Sequence, residues 1–228
     1  MAEKKILLGL TTTKGSDRRK KIEEIEKFGV REIALFLGPL KKEQREETYR
    51  ELEKTSLNSI PHVHARTDMT TDEFDYLTEK YGTKVFNIHS LKDYPLVKNI
   101  DFSKYYKKVY VENVQFVPDK NEIETFGGLC IDFSHWENGI LINSKEYKDF
   151  EKLVNKYPIG CCHISAMTNT PVKWPEWSTY DSHNYNNLEE FDYIKKYLKY
   201  LPDIISIELE NSFEEQLKVK EYLEKIIN

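Results

Sequence analysis

Histidines and carboxylates recur along this 228-residue chain at places where chemistry could use them. His64, His89, Asp132, His135, His163, Glu208 and Glu210 fall in or just after short apolar runs, and Glu112 lies inside one. Such runs read as strands buried on both faces, which should be almost wholly apolar, so each titratable group there calls for a reason. Three or more carboxylates gathered in a partly dehydrated place repel one another and raise one another's pKa values unless a cation intervenes. Imidazole with carboxylate suits zinc, manganese, iron or cobalt; magnesium and calcium favour all-oxygen shells. The chemistry expected is that of an enzyme holding one to three divalent ions. A lone histidine at a strand end is more often a hydrogen-bonded core residue than a ligand, so the joint placement of the histidines carries this reading. His62 shares a strand side with His64 but lies deeper, and reads as structural. Glu208 and Glu210 also share a face, so one of them is expected to reach the metal. The deeper Glu208 is preferred, leaving Glu210 to contact substrate or to cap the helix that follows.

The elements that must position these groups alternate along the whole chain. Strands are predicted at Ile6–Leu10, Glu32–Leu37, Ile60–His64, Lys84–Ile88, Lys108–Val114, Gly128–Phe133, Ile159–Ile164 and Ile204–Leu209. Between them, apolar residues three to four apart predict helices at Arg18–Phe28, Lys42–Lys54, Asp72–Tyr81, Lys145–Lys156, Leu188–Tyr200 and Phe213–Ile227. Thr70 with Glu73 and Ser212 with Glu215 have the spacing of capping boxes. The crossovers after the fourth and fifth strands are weak, Leu91–Lys107 containing Pro95 and Val117–Thr125 being short. Eight strands alternating with helices predict an α/β protein, a compact (β/α)₈ TIM barrel forming a single domain over residues 1–228. An open doubly wound sheet would normally place a Gly-rich phosphate loop after its first strand. Here that position reads Thr11-Thr12-Thr13-Lys14-Gly15-Ser16. In a barrel all the strand-end groups converge on one mouth.

Composition narrows the partners. A net charge of −5 and a pI near 5.8 disfavour nucleic acid as a substrate, since gripping a phosphate backbone needs a basic face. With 39% hydrophobic and 32% charged residues and no apolar run of spanning length, no membrane association is expected. The first residues pass directly into a strand-like run, and the three cysteines lack disulfide or zinc-finger spacing, so a cytoplasmic protein with reduced, structural thiols is expected. Tyr193, Tyr197 and Tyr200 offer a surface for a homodimer, although aromatics at helical spacing are more often core.

From the third strand to the end, the chain resembles the xylose-isomerase-like barrels, a superfamily that includes sugar isomerases and epimerases, hydroxypyruvate isomerase and the endonuclease IV type of AP endonuclease. The phrase Ile131-Asp132-Phe133-Ser134-His135-Trp136 looks like the family's strand-six Asp-x-x-His, and Ile205-Ser206-Ile207-Glu208-Leu209 like its last strand. The resemblance implies one metal held by Glu112, Asp132, His163 and Glu208, with His135 contacting substrate or a second metal. It extends toward endonuclease IV through His64, His89 and Asp181-Ser182-His183, which occupy the places of further ligands in that enzyme's three-zinc cluster.

Two chemistries follow. In an isomerase or epimerase of a small sugar-like or hydroxy-carbonyl substrate, a metal chelates the carbonyl and its neighbouring hydroxyl and lowers the cost of an enediolate, with Glu112 and Glu208 as acid and base. Trp174 and Trp177, flanked by Lys173, then offer an apolar wall against a sugar ring, or alternatively a packing plug. In a phosphoester hydrolase, two or three metals clamp a phosphate, with His64, His89, His135, His163, Asp181 and His183 completing shells bridged by the two glutamates. A non-catalytic metal- or sugar-binding barrel is the third class. Size and charge favour the small hydroxy-carbonyl substrate.

Overall fold

The computed structural model describes residues 4–173 and 178–227. Eight parallel strands close into a barrel: β1 (Lys5–Leu10), β2 (Glu32–Phe36), β3 (Ser59–His64), β4 (Val85–His89), β5 (Val109–Glu112), β6 (Leu129–Asp132), β7 (Ile159–Ile164) and the last barrel strand, β10 (Ile204–Ile207). Each pairs with its sequence neighbour, and β10 closes the ring on β1 through Lys5 with Ile204, Ile6 with Ile205 and Leu7 with Ser206. The predicted strands and their parallel order are those of the structure.

Alternation along each strand divides the core in two. Residues such as Ile33, Leu35, Val63, Phe86, Ile88, Val111, Ile131, Cys162 and Ile205 face the helices and form the larger apolar cluster. Their neighbours line the barrel's interior, where Leu7, Ala34, Phe36, Val85, Cys130, Cys161 and Ile204 pack together. Above this apolar floor the inward positions turn polar, with His62, Asn87 and Ser206 at 0% exposure, and the next inward positions hold the titratable groups.

The outer layer contains α1 (Arg18–Lys27), α2 (Lys42–Leu52), α3 (Thr71–Tyr81), α4 (Lys120–Thr125), α5 (Phe133–Leu141), α6 (Phe150–Val154) and α7 (Phe213–Ile227). Both expected capping boxes form. Thr70 and Glu73 satisfy each other at the start of α3, and Ser212 with Glu215 does the same before α7. The weak crossovers are stunted, as expected: a 3₁₀ segment (Ser103–Lys108) follows β4 and the six-residue α4 follows β5.

Four features differ from the sequence reading. α5 begins without a loop, because Asp132 ends β6 and caps the helix by accepting from the His135 backbone N–H. The helix predicted over Lys145–Lys156 shrinks to α6. Leu188–Tyr200 is two 3₁₀ segments rather than an α-helix. The buried side chains Phe191, Ile194, Tyr197 and Tyr200 recur every third residue, and that is the 3₁₀ period. Tyr193, Tyr197 and Tyr200 are core residues, so they present no exposed dimer face. Finally, the segment after β7 forms an antiparallel hairpin, β8 (Ala166–Lys173) with β9 (Ser178–Ser182). No helix among the described residues is long and apolar enough to cross a membrane.

Candidate metal centre

The candidate ligands collect at the uppermost inward positions of β3 to β7 and just past β10. Pairing sets His89 beside Glu112 and Asp132 beside His163, while the Glu208 backbone N–H, just past β10, donates to the Ile164 carbonyl and ties that residue to the end of β7. Ligand atoms of Glu112, Asp132, His163 and Glu208 all lie within 4.8 Å of one another. A second group, His64, His89 and Glu112, meets the same limit and shares Glu112 with the first.

The contacts inside the first group are those of side chains aimed at a common point. His163 Nδ1 is 3.2 Å from Glu112 Oε1 and 3.1 Å from Glu208 Oε2, yet it has no aligned hydrogen-bond partner. Asp132 Oδ2 is likewise buried and unpartnered. An orphaned buried polar atom costs about 1–3 kcal/mol. A divalent ion accepting His163 Nδ1, Asp132 Oδ2 and the two glutamates would satisfy both orphans, so the donor set fits a metal of the zinc, manganese, iron or cobalt type. Cys130 Sγ lies 3.7 Å from His163 Nε2, on the ring edge away from the carboxylates. Asp132 is braced from below by Asn113, which accepts from the Asp132 backbone N–H at 3.0 Å and donates to its carbonyl at 2.9 Å.

The electrostatics report crowding. Burial opposes a charged Glu112, but His163 and His64 beside it hold its carboxyl well below the usual range. Burial also works against a charge on Glu208, and the neighbouring imidazoles win, bringing it down to about 2. His163 goes the other way: burial disfavours its proton, while Glu112 and Glu208 push its pKa well up. Asp132 is raised by burial and by the other two carboxylates. The opposed shifts of His163 and the two glutamates reflect their mutual attraction, whereas burial brings His89 down to about 4.

Glu112, Glu208, His64 and His89 line a cavity of about 550 Å³ at the C-terminal ends of the strands, while Asp132 and His163 lie fully buried behind them. Phe36, Tyr94 and Val114 give it apolar walls, and Thr12, Arg66, His135, Asp181 and His183 also line it. His135 Nδ1 is 3.5 Å from Asp181 Oδ2. The structure thus places Asp181, His135 and His183 around the same cavity, but among the described residues they form no third close group of ligand atoms. Glu210 lies apart, accepting from Thr13 Oγ1 at 2.6 Å and Asn184 Nδ2 at 2.7 Å. It does not cap α7, a task held by Ser212 and Glu215. Trp174 and Trp177 lie outside the described residues, as does the side chain of Lys173.

Sequence reasoning passed over the neutral groups of the barrel interior. Asn87 donates to Glu112 Oε2 at 2.6 Å, and Tyr94 packs its ring 4.9 Å from that of His89. Asn87 shares a strand face with His89, so its period of two was readable; its lack of charge hid it. His62, Cys130 and Cys161 also come close together below the centre, but both His62 nitrogens are already engaged, by Ser206 and Asn87.

No family model matches the chain, and no curated protein matches its sequence. Among solved structures, the chain is similar to the 1.8 Å crystal structure of IOLI protein with a binding zinc atom, at 14% identity and a TM-score of 0.48, over 97% of this chain and 98% of that one.

Proposed function

We propose that residues 1–228 form one domain of the xylose-isomerase-like superfamily, a divalent-metal-dependent isomerase or epimerase acting on a small hydroxy-carbonyl compound of the sugar type. The observation that supports it is the convergence of Glu112, Asp132, His163 and Glu208 within 4.8 Å, with Glu112 and Glu208 lining a cavity sized for a small molecule. When bound there, a divalent ion would supply Lewis acidity to a carbonyl and its neighbouring hydroxyl.

The chain's own residues supply the rest. Of the Glu112 and Glu208 pair, Glu208, with a side chain 12% exposed against 2% for Glu112, is the better placed to take a proton from one substrate carbon and hand that same proton to the neighbouring one, with the ionised Glu112 as its partner carboxylate. His135 holds its proton strongly, because its carboxylate neighbours outweigh burial and raise its pKa to about 9; it is assigned to donate to a substrate oxygen. Phe36, Tyr94 and Val114 exclude water from the reacting carbon. Trp174, Trp177 and Lys173 are assigned as outer substrate contacts, and Glu210 acts there through Thr13, a cavity-lining residue whose hydroxyl donates to it.

One observation favours a second reading. Glu112 belongs to both ligand groups, so a second ion on His64, His89 and Glu112 would make a bridged pair, the arrangement of phosphoester hydrolases. Metal analysis and solvent-deuterium exchange separate the two. About one equivalent of metal, with deuterium entering a ketose or aldose beside its carbonyl, supports isomerisation. Two or three equivalents with hydrolysis of a phosphomonoester or an abasic-site oligonucleotide, and no exchange, would replace the first reading by the second.

A further inference from the structure

Beneath the candidate centre, four side chains from four strands form one continuous hydrogen-bonded line across the barrel. Ser206 Oγ on β10 is 2.7 Å from His62 Nδ1 on β3, His62 Nε2 is 2.9 Å from Asn87 Oδ1 on β4, and Asn87 Nδ2 is 2.6 Å from Glu112 Oε2 on β5. Ser206, His62 and Asn87 are each at 0% exposure and Glu112 at 2%. Water does not compete for these bonds, and each partner is restrained by barrel packing.

The direction of the line follows from donor chemistry. An ionised carboxylate only accepts, so the Asn87 amide must turn its N–H toward Glu112 and its oxygen toward His62. His62 must then carry a proton on Nε2, and in the neutral ring Nδ1 accepts from the Ser206 hydroxyl. The accept-only carboxylate thus sets which way the Asn87 amide faces, and His62 with Ser206 holds it there; Asn87 occupies one acceptor site of Glu112 Oε2, which also lies 2.9 Å from His64 Nε2, leaving Oε1 turned toward His163 at 3.2 Å. We infer that Ser206, His62 and Asn87 form a buried orienting chain in which Asn87 and His62 are positioning residues for the Glu112 carboxylate, setting how it presents its oxygens to a metal. This rests on the reading of Glu112 as a ligand. Its basis is that partners of a ligand fix the ligand's orientation and basicity, and losing one typically costs about ten- to hundredfold in metal affinity.

The test uses the full chain, with zinc binding by titration and the visible spectrum of the cobalt-substituted protein. Asn87→Leu should weaken zinc binding by about ten- to hundredfold and shift the cobalt bands. His62→Leu should do likewise to a smaller degree, whereas His62→Gln, which keeps an N–H where Nε2 stands, should recover most of the affinity. The double variant should bind no worse than Asn87→Leu alone, because both act through one line. A residue that only fills the core would change the melting temperature without moving the cobalt spectrum or breaking additivity. Wild-type affinity and an unchanged spectrum in Asn87→Leu would overturn the inference. So would nitrogen-15 spectra of the metal-free wild type showing His62 protonated on Nδ1 alone; the Nε2–H form is expected. That measurement needs no metal, so it tests the chain even if zinc does not bind and the proposed function fails. Ser206→Ala, the mildest change, should weaken the Nε2–H preference in a folded protein should the leucine variants not fold.

Discussion

Replacing Glu112 with glutamine removes the one side chain common to both ligand groups while keeping its shape. The glutamine oxygen would take the place of Oε2, where Asn87 Nδ2 donates at 2.6 Å, and the amide N–H₂ would then point at His163 Nδ1, where Oε1 now stands 3.2 Å away. A donor replaces an anion at the point where the four groups meet. Loss of an outer partner alone costs about ten- to hundredfold in metal affinity, so loss of this ligand should cost at least about a hundredfold. The effect can be read as heat stability. At a zinc concentration about a hundred times the wild-type Kd, binding stabilises the fold by about 2.7 kcal/mol. For a chain of this length that corresponds to about 5–11 °C in Tm. A hundredfold weaker site at the same zinc concentration retains only about 0.4 kcal/mol, a shift of under about 2 °C. Paired scans of wild type and Glu112→Gln, with chelator and with zinc, measure the difference directly. A full zinc-dependent shift in the variant, with wild-type stoichiometry, would remove Glu112 from the centre and the proposed chemistry with it.

Three other expectations test neighbouring parts of the argument. Asp132→Asn keeps an acceptor for the His135 backbone N–H that starts α5 but removes the carboxylate, so zinc affinity should fall at least about tenfold while metal-free stability changes by less than about 2 kcal/mol, relief of crowding by Glu112 and Glu208 offsetting the lost attraction to His135; a larger loss in metal-free urea melts would show that Asp132 is mainly structural. His135 is raised from 6.5 to about 9 in the folded, metal-free chain, so its contribution, at most about 3 kcal/mol, is complete below pH 6.5 and lost as pH climbs through about 9. Wild type should lose more stability than His135→Asn between pH 6 and 9.5 in chelator, and parallel curves would contradict this. Gly9→Ala would set a methyl 1.9 Å from the Ile207 carbonyl oxygen, across the β1–β10 seam that closes the barrel, and should cost about 3 kcal/mol or more by denaturant unfolding. A near-neutral result would mean the seam is looser than its hydrogen bonds indicate.

Much of this architecture is readable along the chain, because its causes are local. Short apolar runs such as Ile204–Ile207 mark strands, period three to four in Phe213–Ile227 marks a helix, and Thr70 with Glu73 marks where a helix starts. Charged residues at inward strand positions stand out against apolar neighbours, so Glu112, Asp132, His163 and Glu208 can be picked out before any coordinates. Other features leave a fainter trace. α5 starts without a loop, the repeat at Phe191, Ile194, Tyr197 and Tyr200 has period three, and Asn87 and Ser206 are neutral in strands where charge is the cue. Residue type and periodicity by themselves determined the barrel and nominated its titratable mouth. Only the tertiary structure decided that Glu208 rather than Glu210 meets the other carboxylates, that Glu112 joins two ligand groups, and that a serine on the last strand is linked to a glutamate on the fifth through a histidine and an asparagine. Those contacts join strands up to 144 residues apart, and they exist because closing the sheet into a ring sets the stagger between strands and thereby which inward side chains share a level.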